Sequence, residues 1–209
     1  DPYSSSKACA EIGIKSFGES YPISAGRKFR YCTVRAGNVI GGGDWSKDRI
    51  IPDCIRAWMQ KEQVLIRKGS ATRPWQHVLE PLRGYMWLAA LLSKDEMIDG
   101  ESMNFGPSAA ANKDSSTLVK ELSGHLNGLS MKKLETETKE YESELLALDS
   151  TKAHKLLQWE QILGFEESIE MVADWYQAVV NGEDEVSAYK SNIKDYIKKS
   201  EIEGRKCFP

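Results

Sequence analysis

The 209 residues hold 31 acidic against 28 basic side chains, a net charge of −3, with 41% hydrophobic and 28% charged residues. That balance suits a folded globular chain and excludes a general nucleic-acid binder, which needs a basic surplus. No apolar run reaches the length that a membrane-spanning helix requires, and the histidines His77, His125 and His154 lack metal-ligand spacing, so neither a membrane nor a metal is expected.

Residues 3 to about 21 read as an amphipathic helix, with Ala8, Ile12, Phe17 and Tyr21 among its apolar positions. At its head, in DPYSSSKACAE, Tyr3 and Lys7 stand four apart, one turn over the other on one face. An ammonium beside a phenol favours the phenolate and makes a general base of a poor one. The spacing alone proves little. With 8 Tyr and 19 Lys in the chain, chance gives on the order of one such pair.

The stretch YPISAGRK breaks this helix, and FRYCTVRA, alternating and β-branched, reads as a strand over about 29–35. GNVIGGGDWSKD reads as a glycine-rich loop, and RIIPDCIRAWMQ as a helix with Pro52 in its first turn. VLIR is a short strand, ATRPWQHV is extended, and LEPLRGYMWLAALLSK is a helix. SMNFG is a short buried strand ending in the turn-like GPSAAAN, and DSSTLVKELSGHL is a helix capped by Asp114 or Ser115. Residues 131–148 hold one or two short strands, DSTKAHKLLQW and EESIEMVADWYQAVVN are helices, and the charged tail from Glu183 is a solvated helix or frayed. Cys9, Cys32 and Cys54 lie in apolar segments and read as small buried hydrophobes in a reducing, cytoplasmic setting. Strands alternating with helices imply parallel βα units, but the two or three core strands make an incomplete sheet.

Arg, Asn and Trp recur where loops follow strands, the place where open α/β sheets bind ligands. Arg suits bidentate phosphate binding and flat aromatics cover sugars or bases, a mix fit for a nucleotide sugar.

In this order, DPYSSSKACAE, RAGNVIGGGDW, DRIIPDCIRAW, ATRPWQHVLEPL and NFGP resemble the second half of the extended short-chain dehydrogenase/reductase family. The branch is that of the nucleotide-sugar 4,6-dehydratases, and within it the phrases are most similar to enzymes acting on CDP-glucose. The likeness runs to about residue 182. It implies an NAD(P)-binding Rossmann fold, represented here by its C-terminal part: an incomplete parallel sheet plus a smaller α/β substrate-binding subdomain. Residues 1–48 would end the Rossmann-like domain, 49–182 would be mostly substrate-binding subdomain, and 183–209 a charged tail. The family's Gly-x-x-Gly-x-x-Gly loop is not found, and its further catalytic residues lie ahead of the Tyr. The chain is therefore expected to be a fragment, inactive alone, that binds little of the NAD by itself.

The resemblance implies roles for particular residues. Tyr3 would take the proton of the sugar 4-hydroxyl, and Lys7 would hold the phenolate and bind the nicotinamide ribose. Gly37 and Asn38 fall where the family's loop meets nicotinamide and substrate phosphate. Arg73 falls on the diphosphate-binding Arg, Arg49 and the segment Leu65, Ile66 and Arg67 near the base, and Asn104 near the substrate. Trp75 and His77 read as core. Glu144 stands where a basic or neutral group is expected, and a carboxylate near a diphosphate is unfavourable. A homodimer through the Tyr-x-x-x-Lys helix is implied as well. Two alternatives remain: a dehydratase or epimerase for GDP-, dTDP- or UDP-hexoses, and a non-catalytic module that binds sugar nucleotides.

Overall fold

The computed structural model describes residues 2–26, 29–66, 72–94, 98–133 and 146–205. Strand β1 (Thr33–Ala36) pairs in parallel with β5 (Ser102–Phe105), in a register that sets Val34 beside Met103 and Ala36 beside Phe105. Strand β2 (Asn38–Ile40) pairs in parallel with β4 (Thr72–His77), which pairs antiparallel with β6 (Asn112–Asp114). Strand β3 (Gln63–Ile66) pairs in parallel with β7 (Ser130–Lys133). Helices α2 (Ile50–Gln60), α3 (Leu79–Leu92) and α4 (Ser115–His125) supply the crossovers that parallel pairing requires. The expected mixed α/β fold is present, with three small sheets among the described residues.

The largest core lies between α2, α4 and α6 (Phe165–Val180) and the inner faces of β2, β3 and β4, with Ile55, Leu118, Leu122, Ile169 and Trp175 fully buried. A second core joins α3, β5 and α5 (Thr151–Leu157) around Met103, Phe105 and Trp159, the two rings meeting edge to face at 5.2 Å. Local chemistry explains the helix ends. Asp114 caps α4 by accepting from the Thr117 amide at 2.9 Å, and α2 ends at Lys61 in the left-handed region.

Several expectations need correction. Asn38–Ile40 is a strand inside the stretch read as loop, and polar Asn112–Asp114 is another. The tail is an ordered helix, α7 (Glu185–Ile202), capped by Asp184, and it buries Ala188, Asn192, Tyr196 and Ser200 at steps of four. Tyr196 packs with Leu163 and Met171, so α7 is part of the fold. Of the described cysteines, Cys54 is buried, Cys32 is half-buried and Cys9 is exposed. Helix α1 (Pro2–Ser20) forms where expected, yet Ile12, Ile14 and Phe17 are exposed. Among its residues Gly18 alone is buried, so close to Tyr31 that a Cβ would stand 1.8 Å from the Tyr31 hydroxyl oxygen. No described helix is long and apolar enough to cross a membrane.

Candidate active site

A cavity of about 940 Å³ opens where α1, the ends of β1 and β4, the glycine-rich loop and the start of α4 converge. Helix α1 turns Tyr3, Lys7 and Glu11 toward it, and the Lys7 Nζ stands 5.4 Å from the centre of the Tyr3 ring. Gly37 and Asn38 form the wall between β1 and β2. A Cβ on Gly37 would meet the Pro74 carbonyl oxygen at 2.8 Å, so the bare backbone is what lets β2 lie against β4. Arg73 and Trp75 come from β4, and the Trp75 indole N–H donates to the Lys113 carbonyl at 2.9 Å, which fixes the ring on the wall.

The far rim carries Arg49, whose guanidinium donates to the Asp44 carboxylate at 3.2 Å. Burial would raise the Asp44 carboxyl, but the Ser46 amide and the Arg49 charge outweigh it and hold the group below the usual carboxylate range. The loop is clasped from behind. The Tyr176 hydroxyl of α6 donates to the Asp44 carbonyl at 2.6 Å, and the Trp45 ring meets Tyr176 edge to face at 5.3 Å.

Below Lys7, the Glu11 carboxylate accepts from Thr33 at 2.7 Å, from Ser102 at 3.2 Å and from the Arg35 Nε at 3.0 Å. Burial would raise this carboxyl too. The hydrogen bonds from Thr33 and Arg35, with the Arg35 charge, bring it below its ordinary value.

One cavity therefore holds six of the residues named from the sequence: Tyr3, Lys7, Gly37, Asn38, Arg49 and Arg73. Three others are placed elsewhere. Successive residues of β3 face opposite ways, so Leu65 is 61% exposed on the outside while Ile66 is buried in the core, and neither lines the cavity. The Asn104 amide is engaged on both sides: it accepts from Arg35 at 2.8 Å and donates to the Asp149 carbonyl at 3.1 Å. It stands beside Arg35 and does not line the cavity. Arg67 and Glu144 lie outside the described residues. Trp75 and His77 are core residues, as read, although Trp75 also shows an edge to the cavity.

Glu11, Arg35 and Asp44 also line the cavity and carry none of the roles that the resemblance implies. Glu11 had a legible signal, since it continues the four-residue step from Tyr3 and Lys7. A second cavity, about 950 Å³, lies beyond Leu148 among His154, Trp159, Glu160 and Arg205. Within it the His154 Nε2 and the Arg205 guanidinium stand 3.0 and 3.7 Å from the Glu160 carboxylate.

Residues 1–172 match a family model described as GDP-mannose 4,6 dehydratase. The chain is 38% identical over 200 residues to the CDP-glucose 4,6-dehydratase of Salmonella typhimurium (strain LT2), covering 94% of this chain and 56% of that relative. It thus spans about half the length of the curated relative it matches. A dTDP-glucose 4,6-dehydratase from Bacillus anthracis, solved in complex with NAD, superposes with a TM-score of 0.69 at 20% identity, over 88% of this chain and 54% of that one. The dTDP-glucose 4,6-dehydratase of Streptomyces venezuelae, with NAD and TYD bound, gives 0.69 at 18% identity over 88% and 53%. A UDP-glucose 4-epimerase from Thermotoga maritima, with UDP-glucose, gives 0.67 at 22% identity over 86% and 54%. At these identities the structures speak for the fold, which is the Rossmann type of the extended short-chain dehydrogenase/reductases. With the family model covering most of its length, the chain belongs to the GDP-mannose 4,6-dehydratase family, the nucleotide-sugar dehydratase branch of that superfamily.

Proposed function

We propose that this chain carries the Tyr-Lys side of the active site of an NAD-dependent CDP-glucose 4,6-dehydratase, which converts CDP-glucose to CDP-4-keto-6-deoxyglucose and water. The observation that carries the reading is the single cavity in which Tyr3 and Lys7 face Arg49 and Arg73. A phenol with an adjacent ammonium serves proton removal, and two guanidiniums serve a diphosphate. The 38% identity to the Salmonella typhimurium enzyme supports CDP over other nucleotides.

Tyr3 takes the proton from the sugar 4-hydroxyl at its phenolic oxygen. Lys7, whose Nζ stands 5.4 Å from the centre of the Tyr3 ring, supplies the neighbouring positive charge for that transfer. The 4-keto group so formed acidifies the hydrogen on C5, and water is lost across C5 and C6. The resemblance assigns the acid and base for that loss to residues ahead of Tyr3. Arg73 and Arg49 hold the diphosphate by charge-assisted hydrogen bonds. Asn38 donates its amide to the phosphate oxygens.

The residues present fit the nicotinamide end of NAD. The Lys7 ammonium, lining the cavity beside Tyr3, offers donors to ribose hydroxyls, and Gly37 lines the same cavity. When bound, NAD supplies the hydride carrier, accepting at C4 and returning hydride to C6. The test is an assay of the full-length protein against CDP-, dTDP-, GDP- and UDP-hexoses. Preferred turnover of CDP-glucose is expected, and preference for another nucleotide would overturn the CDP assignment.

A further inference from the structure

Tyr3, Lys7 and Glu11 follow one another at steps of four, each one turn above the last on a single face of α1. Glu11 is where that face is tied to the sheet. Its Oε1 accepts from the Arg35 Nε at 3.0 Å, and its Oε2 stands 3.0 Å from a terminal nitrogen of the same guanidinium. Thr33 of β1 and Ser102 of β5 add 2.7 and 3.2 Å contacts to Oε2. Arg35 continues the chain to Asn104 at 2.8 Å, and Asn104 to the Asp149 carbonyl at 3.1 Å. One carboxylate thereby joins the helix to two strands and, through them, to the loop before α5.

Among the described residues Gly18 is the one buried residue of α1, nearly two turns beyond Glu11 and four beyond Tyr3. Glu11 is thus the point at which the face bearing Tyr3 and Lys7 is tied to β1 and β5. A roll of α1 about its axis swings the Tyr3 hydroxyl and the Lys7 ammonium off the cavity together, because both ride on the face that Glu11 carries. Two-pronged Arg–carboxylate contact resists such rotation, since its geometry is directional as well as strong.

We propose that Glu11, clasped by Arg35, is the positioning residue of the Tyr3–Lys7 pair: it fixes the rotation of α1 and hence the approach of the phenol to the sugar. This rests on the catalytic reading of Tyr3 and Lys7. Glu11 acts through α1, its carboxylate being taken up by Arg35, Thr33 and Ser102. The need for such a clasp follows from the chemistry, since misplacing a reacting group by about 1 Å costs roughly a hundredfold in rate.

The test uses the full-length protein loaded with NAD. In Glu11→Gln the side-chain shape stays while the charged clasp is lost. Three quantities are read: the single-turnover rate of nicotinamide reduction on mixing with CDP-glucose, the affinity for CDP-glucose by calorimetry, and amide hydrogen exchange across residues 2–20. The single-turnover rate falls about tenfold or more, affinity stays within about twofold, and the amides of the first half of α1 exchange faster while those of α6 do not change. A merely structural role would lower the amplitude, as active protein is lost, and leave the rate alone. A rate within about twofold of the parent overturns the proposal, whatever the exchange shows. Arg35→Lys keeps the charge and forfeits the fork, and it slows the same step about threefold or more. Should Glu11→Gln fail to fold, an unchanged rate in Arg35→Lys overturns the proposal on its own. Tyr3→Phe separates the two readings. If it is inactive while Glu11→Gln is unaffected, only the positioning role falls; if it is as active as the parent, both fall.

Discussion

Replacing Glu80 by alanine tests how the fold holds the C-terminal elements that back the site. Glu80 lies in the first turn of α3 and is fully buried. One of its oxygens accepts from the Ile162 amide at 2.9 Å and the Leu163 amide at 2.7 Å. The other faces Arg83 at 3.9 Å, and the Tyr196 hydroxyl of α7 lies within reach of the same carboxylate. Burial pushes the Glu80 carboxyl up, against the pull of the two amides and Arg83. Alanine leaves two buried N–H groups without an acceptor and a buried guanidinium without its counter-charge. Each orphaned group costs about 1–3 kcal/mol, and breaking a buried pair about 3–5 kcal/mol. The terms overlap, and Arg83 keeps its bond to the Glu160 carbonyl and its place over the Trp87 and Trp159 rings. The expected loss is therefore about 3–5 kcal/mol, a large share of the roughly 5–15 kcal/mol that keeps a domain folded. Glu80→Gln retains an acceptor for the amides and loses about half as much. Urea unfolding followed by tryptophan fluorescence reads both. An alanine variant within about 1 kcal/mol of the parent would refute the view that this carboxylate pins the 160–164 loop and α7 to α3.

Burial pushes His77 from its ordinary 6.5 down to about 4. As pH drops below 6.5, the unfolded chain binds a proton that the folded chain refuses, so this contribution is whole above pH 6.5 and fades toward pH 4. The loss reaches about 3 kcal/mol, and it is checked as a flatter stability–pH curve in His77→Gln. Gly37→Ala places a methyl against the Pro74 carbonyl and parts β2 from β4. Overpacking of this kind costs about 1–3 kcal/mol, and a parallel rise in the Michaelis constant for the nucleotide sugar is the check on Asn38 and Arg73. The exposed Ile12, Ile14 and Phe17 of α1 are expected to meet a second copy. Full-length protein should sediment as a dimer and Phe17→Glu as a monomer, and a monomeric parent would count against that pairing.

The helices were legible because each carries its own signals: Pro52 and the apolar face of α2, Asp114 before α4, the long periodic stretch of α6. Strands β2 and β6 were not. Three residues between glycines, or the polar Asn-Lys-Asp, show no periodicity, and only pairing with β4 makes them strands. The burial of α7 escaped notice because its inner stripe of Ala188, Asn192, Tyr196 and Ser200 is small or polar, invisible to hydropathy. At the site, six residues that the resemblance singles out, Tyr3, Lys7, Gly37, Asn38, Arg49 and Arg73, line one cavity. Leu65, Ile66 and Asn104 do not line that cavity, and their orientations depend on strand register and on partners such as Arg35, 69 residues from Asn104 in sequence. Such pairings belong to the tertiary fold and leave no local trace.

The measurement that bears most directly on the account is turnover of CDP-glucose by full-length Tyr3→Phe protein, with CDP-glucose binding measured alongside. Loss of general-base catalysis removes roughly a hundredfold to ten-thousandfold in rate, while the arginines keep binding within about threefold of the parent. A phenylalanine variant that turns over within about tenfold of the parent would contradict the assignment of Tyr3 as the base.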